Sequence, residues 1–341
     1  MFNTVDSVPR QDVSTALMEA VGQDKQFIAQ MLMPIYPSAT EVGRYPRFRK
    51  QAAELLRGGR NPNSDGTFNS STRRGGTGTY NEVTRKFEWD SYQTSEFGLE
   101  ERVDDVIRRR MTNFFDCDMI TAKLLMNELM LDYEMEVAAK LNTTTSSDSA
   151  EGFVSTNSTV AYTEANTAGA TPFDFPTDLT NCIERLTLLG TNPDELSLVL
   201  SLSAYNRIRR SNKLQTYVYG FLNVTQGGSQ ISEQMIASAF GIRGVLVAKK
   251  SVDVAVKGKT PNLVPVWGNT NAMLLKTGEG DFMNGGAGRS IIWDADSPGG
   301  LFTSEQYRDE KRRGDMLRVR SNRVLKIIDP TCAQLINLQW S

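Results

Sequence analysis

Phe87-Glu88-Trp89-Asp90-Ser91-Tyr92, then Leu99-Glu100-Glu101-Arg102-Val103-Asp104-Asp105, then a run from Asp116 to Leu141: this stretch decides how the chain folds. From Thr84 to Tyr92 apolar residues alternate with polar ones, with Phe87, Trp89 and Tyr92 as the apolar members, and a period of two predicts a strand. From Asp116 the spacing becomes helical, with Ile120, Leu124, Leu125, Leu129, Tyr133, Val137 and Leu141 lining one side. Asp116 or Asp118 can cap the start, and Asn142 with a Thr/Ser run ends it. Roughly 26 residues at 1.5 Å each give ~39 Å. A helix of that length serves as a backbone element for the whole subunit.

Upstream, Glu41 to Phe48 is also strand-like. Between it and Thr84 lie Arg57-Gly58-Gly59-Arg60 and Thr72-Arg73-Arg74-Gly75-Gly76-Thr77-Gly78, part of a Gly/Ser/Asn/Arg-rich loop with almost nothing to bury. A loop of this length is expected to have a function or to order on a partner. Two strands of ~10 residues reach ~33 Å, against a radius of gyration of ~20 Å for a chain of this length, so the hairpin projects beyond the body. Asp12 to Met33 has helical spacing, with Pro34 and Pro37 as stops. It can dock on a neighbour or pack on its own subunit.

Downstream, Asn142 to Ala170 is Thr/Ser/Ala/Asn-rich and reads as a linker or surface excursion. Then helices (Pro176 to Leu189, Ser203 to Arg210, Ile231 to Phe240) alternate with buried strands (Leu196 to Leu200, Gly244 to Ala248, Asn271 to Lys276), the pattern of an α/β domain with a small sheet. The end is β-rich: Ser290 to Trp293, Leu301 to Arg308, and Asp315 to Ile328, with a turn at Arg313-Gly314 making a hairpin of the last two.

The 341 residues contain no histidine, which excludes Ser-His-Asp and Cys-His catalysis and His-based metal sites. Net charge is −2, so any contact with nucleic acid is loose. Cys117, Cys182 and Cys332 are far apart and read as reduced, buried thiols. No apolar run approaches the ~20 residues of a membrane span, and the N-terminus lacks the pattern of a signal peptide. A cytoplasmic origin is expected. Gly285-Gly286-Ala287-Gly288-Arg289 lacks the Lys and the following helix of a phosphate cradle and reads as a flexible loop. Lys276-Thr277-Gly278 has no Ser-x-x-Lys to accompany it. Glu100, Glu101, Asp104 and Asp105 could hold a cation, but Arg102, Arg108, Arg109 and Arg110 beside them make charge balance the simpler account. Arg313-Gly314-Asp315 is explained by turn chemistry. No cofactor and no catalytic residue is expected, and the chain reads as an assembling subunit and not an enzyme.

In order, the parts are an arm, a projecting hairpin, a long helix, an α/β domain and long terminal strands. This order resembles the major capsid protein of tailed bacteriophages, the Hong Kong 97 type of fold. Thr84 to Asp105 is similar to the return strand of the extended loop in that family. Ser304-Glu305-Gln306-Tyr307-Arg308-Asp309-Glu310 with Arg313-Gly314-Asp315 and Arg318-Val319-Arg320 is similar to its peripheral-domain strands. The resemblance implies an α+β fold: an N-terminal arm (1–37), an extended loop (38–98), a peripheral domain with a spine helix (99–145 and 288–329) and an α/β axial domain (171–283 and 330–341). It implies self-assembly into hexamers and pentamers of an icosahedral virion head around double-stranded DNA in a host cytoplasm. A scaffolding protein, a portal and a decoration protein are the partners it suggests, with no membrane. No scaffold-like helical domain precedes the arm, so an internal cleaved scaffold is not expected. Contacts between copies are expected at Arg57, Arg60, Arg73, Arg74, Glu100, Glu101, Arg308, Glu310, Arg312, Arg313 and Asp315, arginines meeting carboxylates of a neighbour. The alternatives are an encapsulin-like nanocompartment shell and a carboxylate-dependent hydrolase with a lid loop.

Overall fold

The computed structural model describes residues 8–9, 27–47, 88–111, 116–145, 152–163, 166, 172–222, 231–279, 282, 285–298 and 300–340. In chain order, strand β1 (Val8–Pro9) and the single-turn helix α1 (Ala29–Leu32) precede β2 (Ile35–Ser38) and the hairpin strands β3 (Val42–Arg47) and β4 (Glu88–Gln93). Strand β5 (Ser95–Asp104) feeds α2 (Asp105–Met111) and the long α3 (Cys117–Leu141). Then come β6 (Thr144–Thr145), β7 (Phe153–Asn157), α4 (Phe175–Leu188), β8 (Leu196–Ser201), α5 (Leu202–Ile208), α6 (Asn212–Leu222), α7 (Glu233–Phe240) and β9 (Gly244–Ala248). A small hairpin, β10 (Ser251–Asp253) and β11 (Leu263–Pro265), leads to β12 (Asn271–Lys276), β13 (Gly288–Trp293), β14 (Thr303–Asp309), β15 (Gly314–Ile327) and β16 (Ala333–Asn337).

Two six-stranded sheets organise the body. The first is built on β15. One edge of that strand takes β5 from Gly314 to Arg323, and the other takes β14 and then β13. The second has the order β6-β7-β16-β12-β8-β9. Its central strands β8 and β12 are buried on both faces because both are covered. Met273 and Leu275 of β12 join the core under α3, whereas Ala272 and Leu274 join the core against the helices.

Helix α3 starts where the sequence places it. The Asp116 carboxylate accepts from the Asp118 and Met119 amides and caps the helix. The buried stripe differs from the expected one by a rotation. Leu125, Leu129, Tyr133, Val137 and Leu141 are buried, but Ile120 is 39% and Leu124 55% exposed. Glu134 instead lies on the buried side. Its carboxylate accepts from the Ala29 amide at 2.9 Å, the Ile28 amide at 3.2 Å and the Trp267 indole at 2.6 Å. Burial pushes the Glu134 carboxyl above its ordinary value, and these three donors pull it back. The group joins the segment before α1, the long helix and the loop after β11.

Three other expectations change. Residues 152–162 are not a surface excursion. Gly152 lets the chain pass Thr143, Phe153 is fully buried, and β7 pairs in parallel with β16. Backbone ladder bonds to a distant strand override a weak local pattern. Helix α6 was not expected from the sequence, yet it buries Leu214 and Val218 against α7. The hairpin turn has its positive φ at Arg313 (51°), and Gly314 already belongs to β15. A Cβ on Gly314 would lie 2.6 Å from the Val103 carbonyl oxygen, so the glycine serves a close strand approach. Of the helix expected over Asp12 to Met33, residues 12–26 lie outside the described residues, and within 27–33 only Ala29–Leu32 are helical.

Replacing Glu134 with Ala leaves two amides and an indole without their acceptor in a dry site. Each buried unpaired donor costs about 1–3 kcal/mol. Urea unfolding of the unassembled subunit, followed by far-UV circular dichroism, is expected to show a clear loss of stability, with Trp267→Phe losing less. An unchanged midpoint for Glu134→Ala would show that this clamp holds nothing.

Candidate subunit-contact site

The expected contact residues fall into two groups. Arg57, Arg60, Arg73 and Arg74 lie outside the described residues. The rest converge on one end of the first sheet, where β5, β14, β15, α2 and the start of α3 meet.

Arg308 of β14 is the centre. Its two terminal nitrogens bind both oxygens of Asp105 at 2.7 Å, one of them also reaches Asp315 at 3.1 Å, and Nε donates to Glu310 at 3.2 Å. Arg108 of α2 sits beside it, donating to Asp315 at 2.7 Å and to Asp118 at 2.8 Å. The chain of charges therefore runs Glu310, Arg308, Asp105 and Asp315, Arg108, Asp118, and alternates in sign. The Arg308 hydrogen bond holds the Asp105 carboxyl below the usual carboxylate range. Partial burial opposes ionisation of Asp315, yet bonds from Arg108 and Arg308 bring it below that range too. The same carboxylates, Asp105 first, push the Arg308 guanidinium further up.

The remaining residues sit around this core. Glu100 accepts from Arg318 at 2.9 Å and from the Tyr307 hydroxyl at 3.3 Å. Glu101 is exposed on β5. Arg312 lies 3.6 Å from Asp309, and its carbonyl accepts from Arg102. Arg313 occupies the turn. The arginine–carboxylate pairs of Arg308 and Asp315 are thus made inside the chain, across about 200 residues of sequence, and they leave Glu101, Arg109 and Arg110 facing outward.

A second charged group lies deeper. Arg323 of β15 is fully buried, donating from Nε to Glu136 at 3.0 Å and from Nη2 to Asp132 at 2.9 Å, with its plane 4.2 Å from the Phe97 ring. Asp132 and Glu136 are four apart and so share one face of α3. Arg320 of the same strand pairs with Glu305 of β14 and with Asp296 in the turn after β13. Nothing in the sequence marks Arg323 as buried except its place in an alternating strand.

The motifs tested for chemistry have structural roles. Arg289 belongs to β13, not to a loop, and its buried guanidinium donates to the Gly285 and Gly288 carbonyls. Lys276 pairs with Glu195 at 2.8 Å, and Thr277 accepts from Arg243. Of the four carboxylates of residues 100–105, Glu100, Asp104 and Asp105 face guanidinium groups, Glu101 is exposed, and Asp104 also accepts from the Val106 amide at the start of α2. All three cysteines are free and buried, and burial first of all pushes the Cys182 thiol up to about 11. No described helix is long and apolar enough to cross a membrane.

No family model matches the chain, and no curated protein matches it by sequence. Solved structures do. A phage-related protein from Bordetella bronchiseptica RB50 is similar over 98% of both chains, with a TM-score of 0.66 and 16% identity. The capsid of cyanophage P-SCSP1u is similar over 92% of this chain and 88% of its own, with a TM-score of 0.56 and 11% identity. A virus-like particle from Pyrococcus furiosus is similar over 96% and 98%, with a TM-score of 0.50 and 12% identity. At these identities the likeness is one of fold: the chain has the α+β fold of the Hong Kong 97 type of capsid protein.

Arg308→Gln removes the paired bonds to Asp105 and is expected to raise amide hydrogen exchange over 105–111 while leaving that of α3 beyond its first turn unchanged. Acid does the same. Asp105 and Asp315 have folded values below their unfolded ones, so their contribution is complete above about pH 4 and is lost as pH falls through the lowered values. Exchange corrected for the intrinsic rate should show α2 losing protection in that window. Unchanged protection in both experiments would mean that the ion network does not hold α2.

Proposed function

We propose that this chain is a shell subunit, the major capsid protein of a tailed bacteriophage, which assembles into hexamers and pentamers of a head enclosing double-stranded DNA. The observation that carries the reading is the likeness in fold, over nearly the whole chain, to a phage capsid and a virus-like particle. The surface supports it. Trp89 is 64% exposed on the arm hairpin, and Val256 and Leu263 are 71% and 67% exposed on the β10–β11 hairpin. A chain that stays alone rarely leaves large aliphatic and aromatic groups on projecting hairpins.

In this reading residues 1–37 are an arm, 38–98 the extended loop, 99–145 and 288–329 the peripheral domain, and 171–283 with 330–341 the axial domain. The buried β7 adds residues 153–157 to the axial sheet. Scaffolding, portal and decoration proteins are partners of the same proposal, as is loose contact with DNA by a shell of near-zero net charge per copy. The chain is read as non-catalytic: it has no histidine, and each motif tested above is engaged in holding the fold. The likeness to the Pyrococcus furiosus particle favours a second reading, an encapsulin-like nanocompartment shell.

Purified at high concentration, the chain is expected to give rings or shells of megadalton mass by light scattering and negative-stain microscopy. A stable species of a single 37.9 kDa chain would overturn the proposal. Particles isolated from the native source should contain nuclease-protected DNA. Protein cargo in its place would select the second reading.

A further inference from the structure

Helix α2 is held by more charge than its size explains. Seven residues do not make a stable helix in water alone, and none of these seven is buried. Yet Asp105 is gripped by Arg308, and Arg108 by Asp118 and Asp315, from three other elements. The outward side is apolar and basic. Val106 and Ile107 are 52% and 54% exposed, and Met111 is exposed four residues after Ile107. Arg109 and Arg110 are exposed and form no ion pair among the described residues.

Strand β5, directly before α2, offers the opposite. Its ten residues use one edge for β15, and the other edge pairs with no strand among the described residues. Glu96 and Glu101, five residues apart, point to opposite faces of the strand and so flank its open edge; both are exposed and form no ion pair among the described residues, and Leu99 is 38% exposed on the face of Glu101. A basic apolar helix thus follows directly on a strand whose open edge is flanked by acidic side chains.

We propose that β5 and α2 form a self-complementary contact with a second copy of this chain, the α2 of each copy lying against the β5 of the other. A two-fold relation suits such a patch, because one surface serves both sides. The apolar groups of α2 meet Leu99 at the centre. Arg109 and Arg110 meet Glu96 and Glu101 of the other copy at the rim and set the register. The intrachain ion network then has a purpose: it fixes a helix whose working face looks outward. The inference rests on the shell reading, since it names a surface by which copies meet.

The test is a charge swap in the full chain. Arg109→Glu with Arg110→Glu makes one variant, and Glu96→Arg with Glu101→Arg the other. All four positions are exposed, so circular dichroism should show both variants folded. Each alone is expected to raise the concentration needed for assembly by about tenfold or more, read by light scattering. An equimolar mixture should recover the wild-type threshold, because each α2 then finds a β5 of opposite sign. Assembly of both single variants at the wild-type threshold would overturn the contact, and so would a mixture that fails to recover. A wild-type chain that never assembles sinks the shell reading itself, whereas an assembling wild type with unaffected variants sinks only this contact.

Discussion

Strand β15 has fourteen residues and two edges, and the first sheet is organised by how those edges are shared. β5 takes one edge over ten residues, while β14 and β13 divide the other. Segments near residues 100, 290 and 305 are thereby fixed beside one another before any side chain is considered. Helix α3 then covers the sheet, and Arg323 locks it there by reaching two carboxylates one turn apart. A guanidinium with no exposed surface is tolerable because its Nε and Nη2 bonds to carboxylates are charge-assisted and it stacks over the Phe97 ring.

The charged groups set geometry more than they add stability. Exposed pairs such as Arg318 with Glu100 are worth little individually. The alternating network around Arg308 differs because its central members, Arg308, Asp315 and Arg108, each bind two or more partners. It fixes where the chain leaves β5 and where α3 begins. The buried Glu134 does the corresponding work at the other end of α3, where a single carboxylate collects donors from two distant segments. Both devices fasten local structure of low intrinsic stability, a two-turn helix and a one-turn helix, onto a rigid frame.

Elements with strong local pattern were legible in the sequence. The Asp116 cap, the helical spacing to Leu141, the Leu- and Val-rich run of Leu196 to Leu200 and the alternation after Asp315 each lead to the observed element. What escaped depends on distant partners. β7 has a single fully buried aromatic and is a strand because β16 lies beside it. Ile120 and Leu124 have helical spacing like Leu125 and Leu129, and periodicity alone does not say which apolar stripe a sheet will cover. The contact residues show the same split. That arginines and carboxylates cluster near residue 100 is visible in the sequence, but that Arg308 takes Asp105 as its partner is set by the β14–β15–β5 ladder.

At the base of the arm hairpin the buried Thr94 amide donates to the Glu41 carbonyl at 3.1 Å and closes the two strands, and the Tyr92 hydroxyl lies 2.6 Å from the Ser38 hydroxyl. Beyond that joint, Tyr45 and Tyr92 pack with Ile291 and Ile328 in a small cluster separate from the two main cores. The hairpin thus has its own foundation. Six residues per strand span about 20 Å, so a tilt of about ten degrees at Thr94 would carry the far end of β3 and β4 through ~3.5 Å. Such a tilt repacks two tyrosines and leaves both large cores closed. The angle of the arm is therefore set by a cluster of four buried side chains and not by either large core.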